Sequence, residues 1–349
     1  MTVKQFDYCV SNPPYQNDKN SAIFHNFQNL GDTIAANSTM IYPADKWMTK
    51  SGKGIGLDEF TDDQLTSHNL LSLSVYEDAN SIFGGIELHG GISILNKSKE
   101  YDNQGKIDIT TFDFNMIPNQ KFINIQQGKT LSTSNAMNNI VEKVLNHKAS
   151  KDFLSNIACS TSLYGIGSSF IEKSNNAIND TDYANEEGFV KVLTNGTSGT
   201  QGRVGWFWIP VSDVPKNSDT VEKYVVAVST RHSAGYGGRS QQARIFYPDE
   251  IFGDSRFGVA IFDTLEEAEN FYTWLSSDIV RVLLLSSSRR VKNFGTNVPV
   301  LKSYKNNTKE IDFTKNIDEQ LIAKYELSDE DLQYIESTIK TLGSFGMVE

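Results

Sequence analysis

The sequence predicts an α/β fold in which the second half of a doubly wound sheet leads into a β-rich, α+β portion closed by helices. Three observations carry that expectation. Over the first hundred residues short apolar runs alternate with helical spacing and end in a hairpin bounded by paired glycines. From about residue 189 the pattern changes to short strands separated by loops rich in Gly, Ser and Asn. The tail returns to helical periodicity.

Residues 5–10, Gln-Phe-Asp-Tyr-Cys-Val, read as a short buried strand that must end at Asn12, because the prolines after it cannot continue a central strand. Over 22–36, Ile23, Phe27, Leu30 and Ile34 recur at helical spacing. Residues 39–43 form a second short strand, stopped by Pro43, and a Gly-rich loop at 49–56 precedes a helix over 57–68. Residues 71–76 and 90–95 read as further strands, with Gly84-Gly85 and Gly90-Gly91 as turns around 86–89. A polar loop is expected near 98–106. Residues 134–148 place Met137, Ile140, Val141, Val144 and Leu145 on one helical face. Strands follow at 189–193, 204–211, 223–229, 243–247 and 257–262. Thr264 and Glu267 then form a capping box that opens a helix expected to run to about Leu285. Two more helices are expected at 317–325 and from Ser328 to about Leu342. A boundary near 130–150 separates two domains, 1–130 and 131–349.

Composition narrows the class. With 349 residues, 38% hydrophobic and 21% charged, the chain suits two globular domains rather than a disordered protein. No run approaches the ~18 apolar residues of a membrane span, and the N-terminus has no basic start followed by an apolar core. The two cysteines, Cys9 and Cys159, make neither a disulfide framework nor a zinc pattern, so a cytoplasmic protein without membrane partners is expected. The net charge of -11 argues against a nucleic-acid coat protein. It is unevenly spread. Residues 203–300 hold all eight arginines and are neutral, with 11 positive and 11 negative side chains, so the whole deficit lies elsewhere. Arginine is the side chain that forks onto phosphates and guanine edges, which makes its confinement a functional hint against the alternative of compositional drift.

Ser11-Asn12-Pro13-Pro14-Tyr15 comes directly after the first strand, at the strand end where open α/β sheets bind ligands. Asn-Pro-Pro-Tyr arises by chance in about one chain of this length in a thousand; the structural alternative is a proline-stiffened turn. The segment Phe6–Gln16 resembles motif IV of amino-group methyltransferases, and nearly the whole chain is similar to TaqI-like type II adenine methyltransferases of gamma motif order, from restriction–modification systems. Ile23–Phe27, Met40–Trp47, Gly52–Phe60 and Ile82-Phe83-Gly84 through Gly90-Gly91-Ile92-Ser93 follow in that family's order. Ser162–Ile166 resembles the start of its target-recognition domain, and Glu267-Ala268, Ile317–Leu321 and Tyr325–Ser328 resemble its closing segments.

The resemblance implies a Rossmann-like methyltransferase sheet at 1–130 and a target-recognition domain at 131–349. It implies transfer of a methyl group from S-adenosylmethionine to the exocyclic amine of an adenine flipped out of duplex DNA. That amine is a poor nucleophile because its lone pair is drawn into the ring. Two acceptors on its hydrogens, the Asn12 side-chain oxygen and the Pro13 carbonyl, would release the lone pair. Pro13 and Pro14 would fix the backbone, and Tyr15 would stack on the base. No metal is required.

The resemblance also implies an upstream half with a Phe-x-Gly-x-Gly loop for S-adenosylmethionine, which this sequence lacks. Gly235–Gly238, Gly196–Gly199 and Phe294-Gly295-Thr296 are the nearest candidates, and none follows a strand and opens a helix. The expectation is therefore one piece of a split or truncated enzyme, with a complementing N-terminal methyltransferase chain or a restriction subunit as partner, and with the outer edge of the first strand unpaired and apolar. Where relatives carry an aromatic residue in the Gly-Gly strand, this chain has Gly91-Ile92-Ser93-Ile94-Leu95, which leaves Tyr15 to stack alone.

Arg231, Arg239 and Arg244, with Gly235-Tyr236-Gly237-Gly238 between them, form the leading DNA-contact candidate. Arg289, Arg290 and Lys292 form a phosphate-directed patch, and Arg203 joins the set. Trp206, Phe207 and Trp208 read as a packed strand more readily than as a base-stacking platform. The five histidines are scattered, and Glu-x-Lys, a metal-nuclease signature, does not occur, so no cleavage activity is expected. Two other readings stand beside the enzyme: a non-catalytic DNA-binding specificity module or inactive remnant, and a methyltransferase acting on RNA or protein glutamine. The long arginine-bearing second half favours duplex DNA.

Overall fold

The computed structural model describes residues 6–19, 21–49, 56–85, 90–124, 131–147, 152–159, 162–180, 187–196, 204–229, 243–286, 294–306 and 309–342. The chain divides into two compact units, Met1–Glu142 with Ser328–Thr338, and Lys143–Leu327 with Ile339–Glu349.

In the first unit β1 (Phe6–Ser11), α1 (Phe24–Ile34), β2 (Ala35–Pro43), α2 (Ala44–Met48), α3 (Leu57–Thr66), β3 (Leu70–Tyr76), β4 (Ile92–Ser98), β5 (Lys106–Phe112), β6 (Pro118–Asn124) and α4 (Asn135–Asn146) follow one another. The six strands form one sheet in the order β1-β2-β4-β3-β5-β6. β1 pairs parallel with β2 and β3 with β5, while β4 runs antiparallel between β2 and β3, and β6 antiparallel to β5. The carboxyl ends of β1, β2, β3 and β5 therefore share one edge of the sheet.

One face of this sheet carries the core. Met40, Tyr42, Leu73, Val75, Leu95, Ile107 and Ile109 alternate inward and pack with Phe24, Trp47, Leu57 and Phe60 of the helices. The close fit of α1 is set by Gly31, where an added Cβ would collide with Met40 Cε and lie 3.5 Å from Cys9 Sγ. A polar network pins the same helix. Asp32 accepts from Gln28 and Ser38 and pairs with Lys97 Nζ of β4 at 2.7 Å, while Tyr42 donates to Gln28. At the far end the Asn135 amide groups donate to Thr111 Oγ1, Ile109 O and Asn119 O, which fastens α4 to β5 and β6.

Several expectations need correction. The first strand is not buried: Phe6, Tyr8 and Val10 are 48%, 69% and 72% exposed, because among the described residues α1 covers only the other face of β1, which lies at one end of the strand order. The first helix gives way to β2 at Ala35, four residues before the expected strand, and Leu30 faces outward while Gly31 faces the sheet. β5 and β6 are additions to the expected elements, although Ile107, Ile109 and Thr111 alternate as buried positions.

The second unit holds α5 (Leu154–Ile157), α6 (Phe170–Lys173), β7 (Ile178–Asn179), β8 (Phe189–Asn195), β9 (Val204–Pro210), β10 (Tyr224–Ser229), β11 (Ala243–Phe246), β12 (Glu250–Phe252), β13 (Arg256–Phe262), α7 (Leu265–Ser276), α8 (Asp278–Ser286) and α9 (Ile317–Tyr325). α10 (Asp329–Leu342) comes last, its residues to Thr338 belonging to the first unit. Two small sheets, β12-β8-β9-β7 and β11-β10-β13, share a core that includes Val190, Val192, Ile209, Val225, Ala227, Phe246 and Phe252. The Thr264 cap is present: its hydroxyl accepts from Glu267 N at 3.3 Å, and the Glu267 carboxylate reaches back to that hydroxyl at 2.9 Å, where a capping box would have it accept from the Thr264 backbone amide. The helix it opens does not reach Leu285 unbroken. Ser277 is extended, and α8 starts afresh with Asp318 accepting from the Asp278 and Ile279 amides. No described helix is long and apolar enough to cross a membrane.

Candidate functional site

β1 stops at Ser11, and Asn12-Pro13-Pro14-Tyr15 follow as irregular backbone at the carboxyl edge of the parallel strands. Pro13 is buried and Pro14 exposed, and each fixes its own backbone φ. Asn12 is exposed, and among the described residues its side-chain amide makes no hydrogen bond. Tyr15 is half-buried, and burial raises the pKa of its hydroxyl, which keeps it neutral.

The residues after the motif hold it in place. Ile23 N donates to Tyr15 O at 3.3 Å, and Gln16 bridges to Ala22. Asn17 Oδ1 accepts from the Lys19 and Ser21 amides at 3.0 Å each, closing the loop between them. From α2, Lys46 Nζ donates to Gln16 Oε1 at 3.2 Å. The N-terminus of α2 is in turn tied to the Gly90-Gly91 turn, whose carbonyls accept from Asp45 and Ala44. Gly91 has φ +72°, and an added Cβ would collide with Tyr76 O, so only glycine fits there.

A second group on this edge has no signal in the sequence. Glu77, directly after β3, is buried with Tyr334 of α10 donating to its Oε2 at 2.9 Å. Burial, reinforced by Asp113, raises its pKa to about 8, although Ser134 and Tyr334 pull the other way. The carboxyl is thus protonated at neutral pH. Nothing local marks it, since Glu77 and Tyr334 are 257 positions apart.

Of the residues expected to contact DNA, Arg203, Arg231, Arg239, Arg289, Arg290 and Lys292 lie outside the described residues. Arg244 is described. On β11, its guanidinium lies 4.8 Å from the Trp206 ring centre and 5.4 Å from that of Phe246, and it faces Glu250 at 3.5 Å. The Trp206-Phe207-Trp208 run divides its roles. Trp208 is buried with its indole N–H donated to Asp180 at 2.8 Å, Phe207 packs beside the core, and Trp206 is half-exposed with Lys191 Nζ 5.0 Å from its ring centre. Arg256 and Arg281 are buried, Arg281 against Asp278 at 3.6 Å. Part of the arginine clustering is therefore structural.

The resemblance to methyltransferases asks for a glycine-rich loop to hold S-adenosylmethionine. No described strand runs through a glycine-rich loop into a helix. Residues 235–238 and 197–199 lie outside the described set. The Phe294-Gly295 turn is committed to packing, because a Cβ on Gly295 would lie 2.6 Å from Leu154 Cβ. No group of His, Cys, Asp and Glu suited to a metal ion occurs among the described residues.

No family model matches the chain, and no curated protein matches it. Among solved structures, the type IIL restriction-modification enzyme MmeI in complex with DNA is similar over 96% of this chain, at 10% identity and a TM-score of 0.38. This chain spans 53% of that one, about half its length.

Proposed function

We propose that this chain is the catalytic and recognition portion of an adenine-specific DNA N6-methyltransferase of the restriction–modification kind. The observation that carries the reading is Asn12-Pro13-Pro14-Tyr15 at the carboxyl end of a parallel strand, with Asn12 exposed and its side-chain amide uncommitted among the described residues. In this reading the Asn12 side-chain oxygen and the Pro13 carbonyl accept the two hydrogens of the adenine amine, which makes its lone pair available. The prolines keep both oxygens in register, and the half-buried Tyr15 ring stacks on the flipped base. S-adenosylmethionine is the methyl donor of the overall reaction. In this reading its seat lies in a complementing chain. Support for such a partner comes from β1, which has one strand neighbour among the described residues and leaves Phe6, Tyr8 and Val10 exposed on one face. Arg244, together with Arg203, Arg231, Arg239, Arg289, Arg290 and Lys292, is assigned to duplex DNA.

The test is co-expression of the chain with the product of the neighbouring reading frame in a host without adenine methylation, followed by sequencing for N6-methyladenine. Methylation at one defined sequence is expected, reduced about 100-fold or more in Asn12→Ala and Tyr15→Ala. Unchanged methylation in both variants would remove the catalytic assignment. The arrangement of Arg244 on Trp206 in the second unit also favours a second reading, a DNA-binding specificity module without catalysis, for which sequence-selective binding persists and methylation stays at background.

A further inference from the structure

Two cations converge on one indole in the second unit. Lys191 and Trp206 are diagonal neighbours on β8 and β9, whose register sets Lys191 opposite Trp208 and Leu193 opposite Trp206. Arg244 reaches the same ring from the other sheet. Trp206 thus holds an ammonium at 5.0 Å and a guanidinium at 4.8 Å, both within cation–π range. Each cation has its own carboxylate. Lys191 pairs with Asp180 at 3.1 Å, and Arg244 faces Glu250 at 3.5 Å.

The two pairs differ. Asp180 also accepts from the Trp208 indole, so the Lys191 pair is knit into the packing. The Arg244–Glu250 contact is longer than a charge-assisted hydrogen bond, and Glu250 Oε2 also accepts from Tyr247 N at 3.3 Å. Arg244 is therefore stacked on aromatic rings while the donors at its planar rim are loosely engaged. Its side chain keeps 32% of its surface in solvent. A guanidinium in this state has already lost its rotamer freedom and can take a bidentate oxyanion without moving. Buried Arg256 adds its field: burial first, and Arg244 second, press the Arg256 pKa down. The anion fitting this geometry is forked, singly charged and approached from solvent, as a backbone phosphodiester is.

We propose that Arg244, held on Trp206 beside Lys191, is a preorganised phosphodiester clamp for duplex DNA, in which Glu250 is the resident counter-ion that the phosphate displaces. Trp206 is the positioning residue. This deepens the DNA-acting reading and rests on it. The face of the indole is engaged by cations, so the element contacts backbone and does not stack on a base.

Such a clamp has an uncommon consequence: removing a negative charge should strengthen DNA binding at a position that otherwise looks like an ion pair. The full chain would be titrated into a fluorescein-labelled, random-sequence 30-base-pair duplex, and anisotropy read across a salt series. Glu250→Gln, which keeps an acceptor for Tyr247 N, is expected to tighten binding by on the order of threefold to tenfold. Arg244→Ala is expected to weaken it by a similar factor and to lower the slope of log K against log salt by about 0.9. Trp206→Phe should preserve affinity through the remaining ring, and Trp206→Leu should lose it with Arg244 intact. Should Trp206→Leu fail to fold, the two rim variants carry the test, because both change partly exposed side chains. Wild-type affinity and salt slope in both Glu250→Gln and Arg244→Ala would overturn the clamp and leave the DNA reading standing. No binding by the wild-type chain at any salt would overturn the DNA reading, and the clamp with it.

Discussion

β1 and β10 are six-residue strands of similar content, Phe-Asp-Tyr-Cys-Val-Ser and Tyr-Val-Val-Ala-Val-Ser, with opposite fates. β10 lies between β11 and β13, and Val225 to Val228 are all buried: Val225 and Ala227 belong to the core shared by the two small sheets, and α7 packs on the same sheet. β1 has one strand neighbour among the described residues and one helix, and four of its six side chains, Phe6, Asp7, Tyr8 and Val10, stand in solvent. Burial of an apolar strand is decided by its neighbours on two edges and two faces, and its own hydropathy does not reveal them.

Truncating side chains in the two strands' neighbourhoods should separate them most widely. Phe246→Ala, beside β10 at 0% exposure, is expected to cost about 3–5 kcal/mol in urea unfolding. If it costs no more than a surface change, the second unit lacks a packed core. For the sheet that carries β1, the anchorage of α1 is the lever. Lys97→Met leaves the partly buried Asp32 carboxylate without its cation and should cost about 2 kcal/mol, less than a fully buried pair because Asp32 keeps 32% of its side chain exposed. Hydrogen exchange should then show the Tyr8 and Val10 amides released before those of Val225 and Val226. Equal protection in the two strands would break the comparison.

The pH profile distinguishes the sheets further. Glu77 has a folded pKa raised to about 8 from the ordinary 4.5, so the folded state binds a proton that the unfolded chain releases. Its contribution is full below the unfolded pKa and is lost as pH rises towards 8, at up to about 1.4 kcal/mol per pH unit. Glu77→Gln should flatten that slope in the first unit, read by Trp47 fluorescence, and a slope unchanged by the substitution would remove Glu77 as its source. Thr264→Ala, which deletes the cap of the helix covering β10, should cost about 1 kcal/mol. Smallest of all, Tyr8→Ala in the isolated chain should stay within about 0.5 kcal/mol, since the ring is 69% exposed. A large cost would mean that β1 is already covered in solution.

Much of the fold is visible in local pattern. The strand at 6–11, the helix at 57–66, the Thr264 cap and the α9 helix at 317–325 all follow from periodicity, proline stops and capping chemistry, which act within a few residues. β5 and β6 escape such a reading because Lys106–Phe112 mixes Thr and Asp among its apolar positions, and Pro118–Asn124 is mostly polar, as suits an edge. β7 and β12, of two and three residues, are too short to have a period. The single helix expected to about Leu285 is broken where a carboxylate, Asp318, caps a new start from 40 residues further along the chain. In the candidate site the Asn12–Tyr15 motif is contiguous and legible as it stands. Glu77 with Tyr334, and Trp206 with Lys191 and Arg244, are assembled from distant segments and are not.

By itself the sequence determined the helix and strand signals and the proline stop that ends the first strand just before Asn12–Tyr15. These depend on interactions along a few consecutive residues, where backbone stereochemistry dominates. The tertiary structure decided which apolar strand is covered, which arginines are buried, and which carboxyl holds its proton. Those properties are set by neighbours brought in from far along the chain, because burial and electrostatic environment are collective quantities that no local window contains.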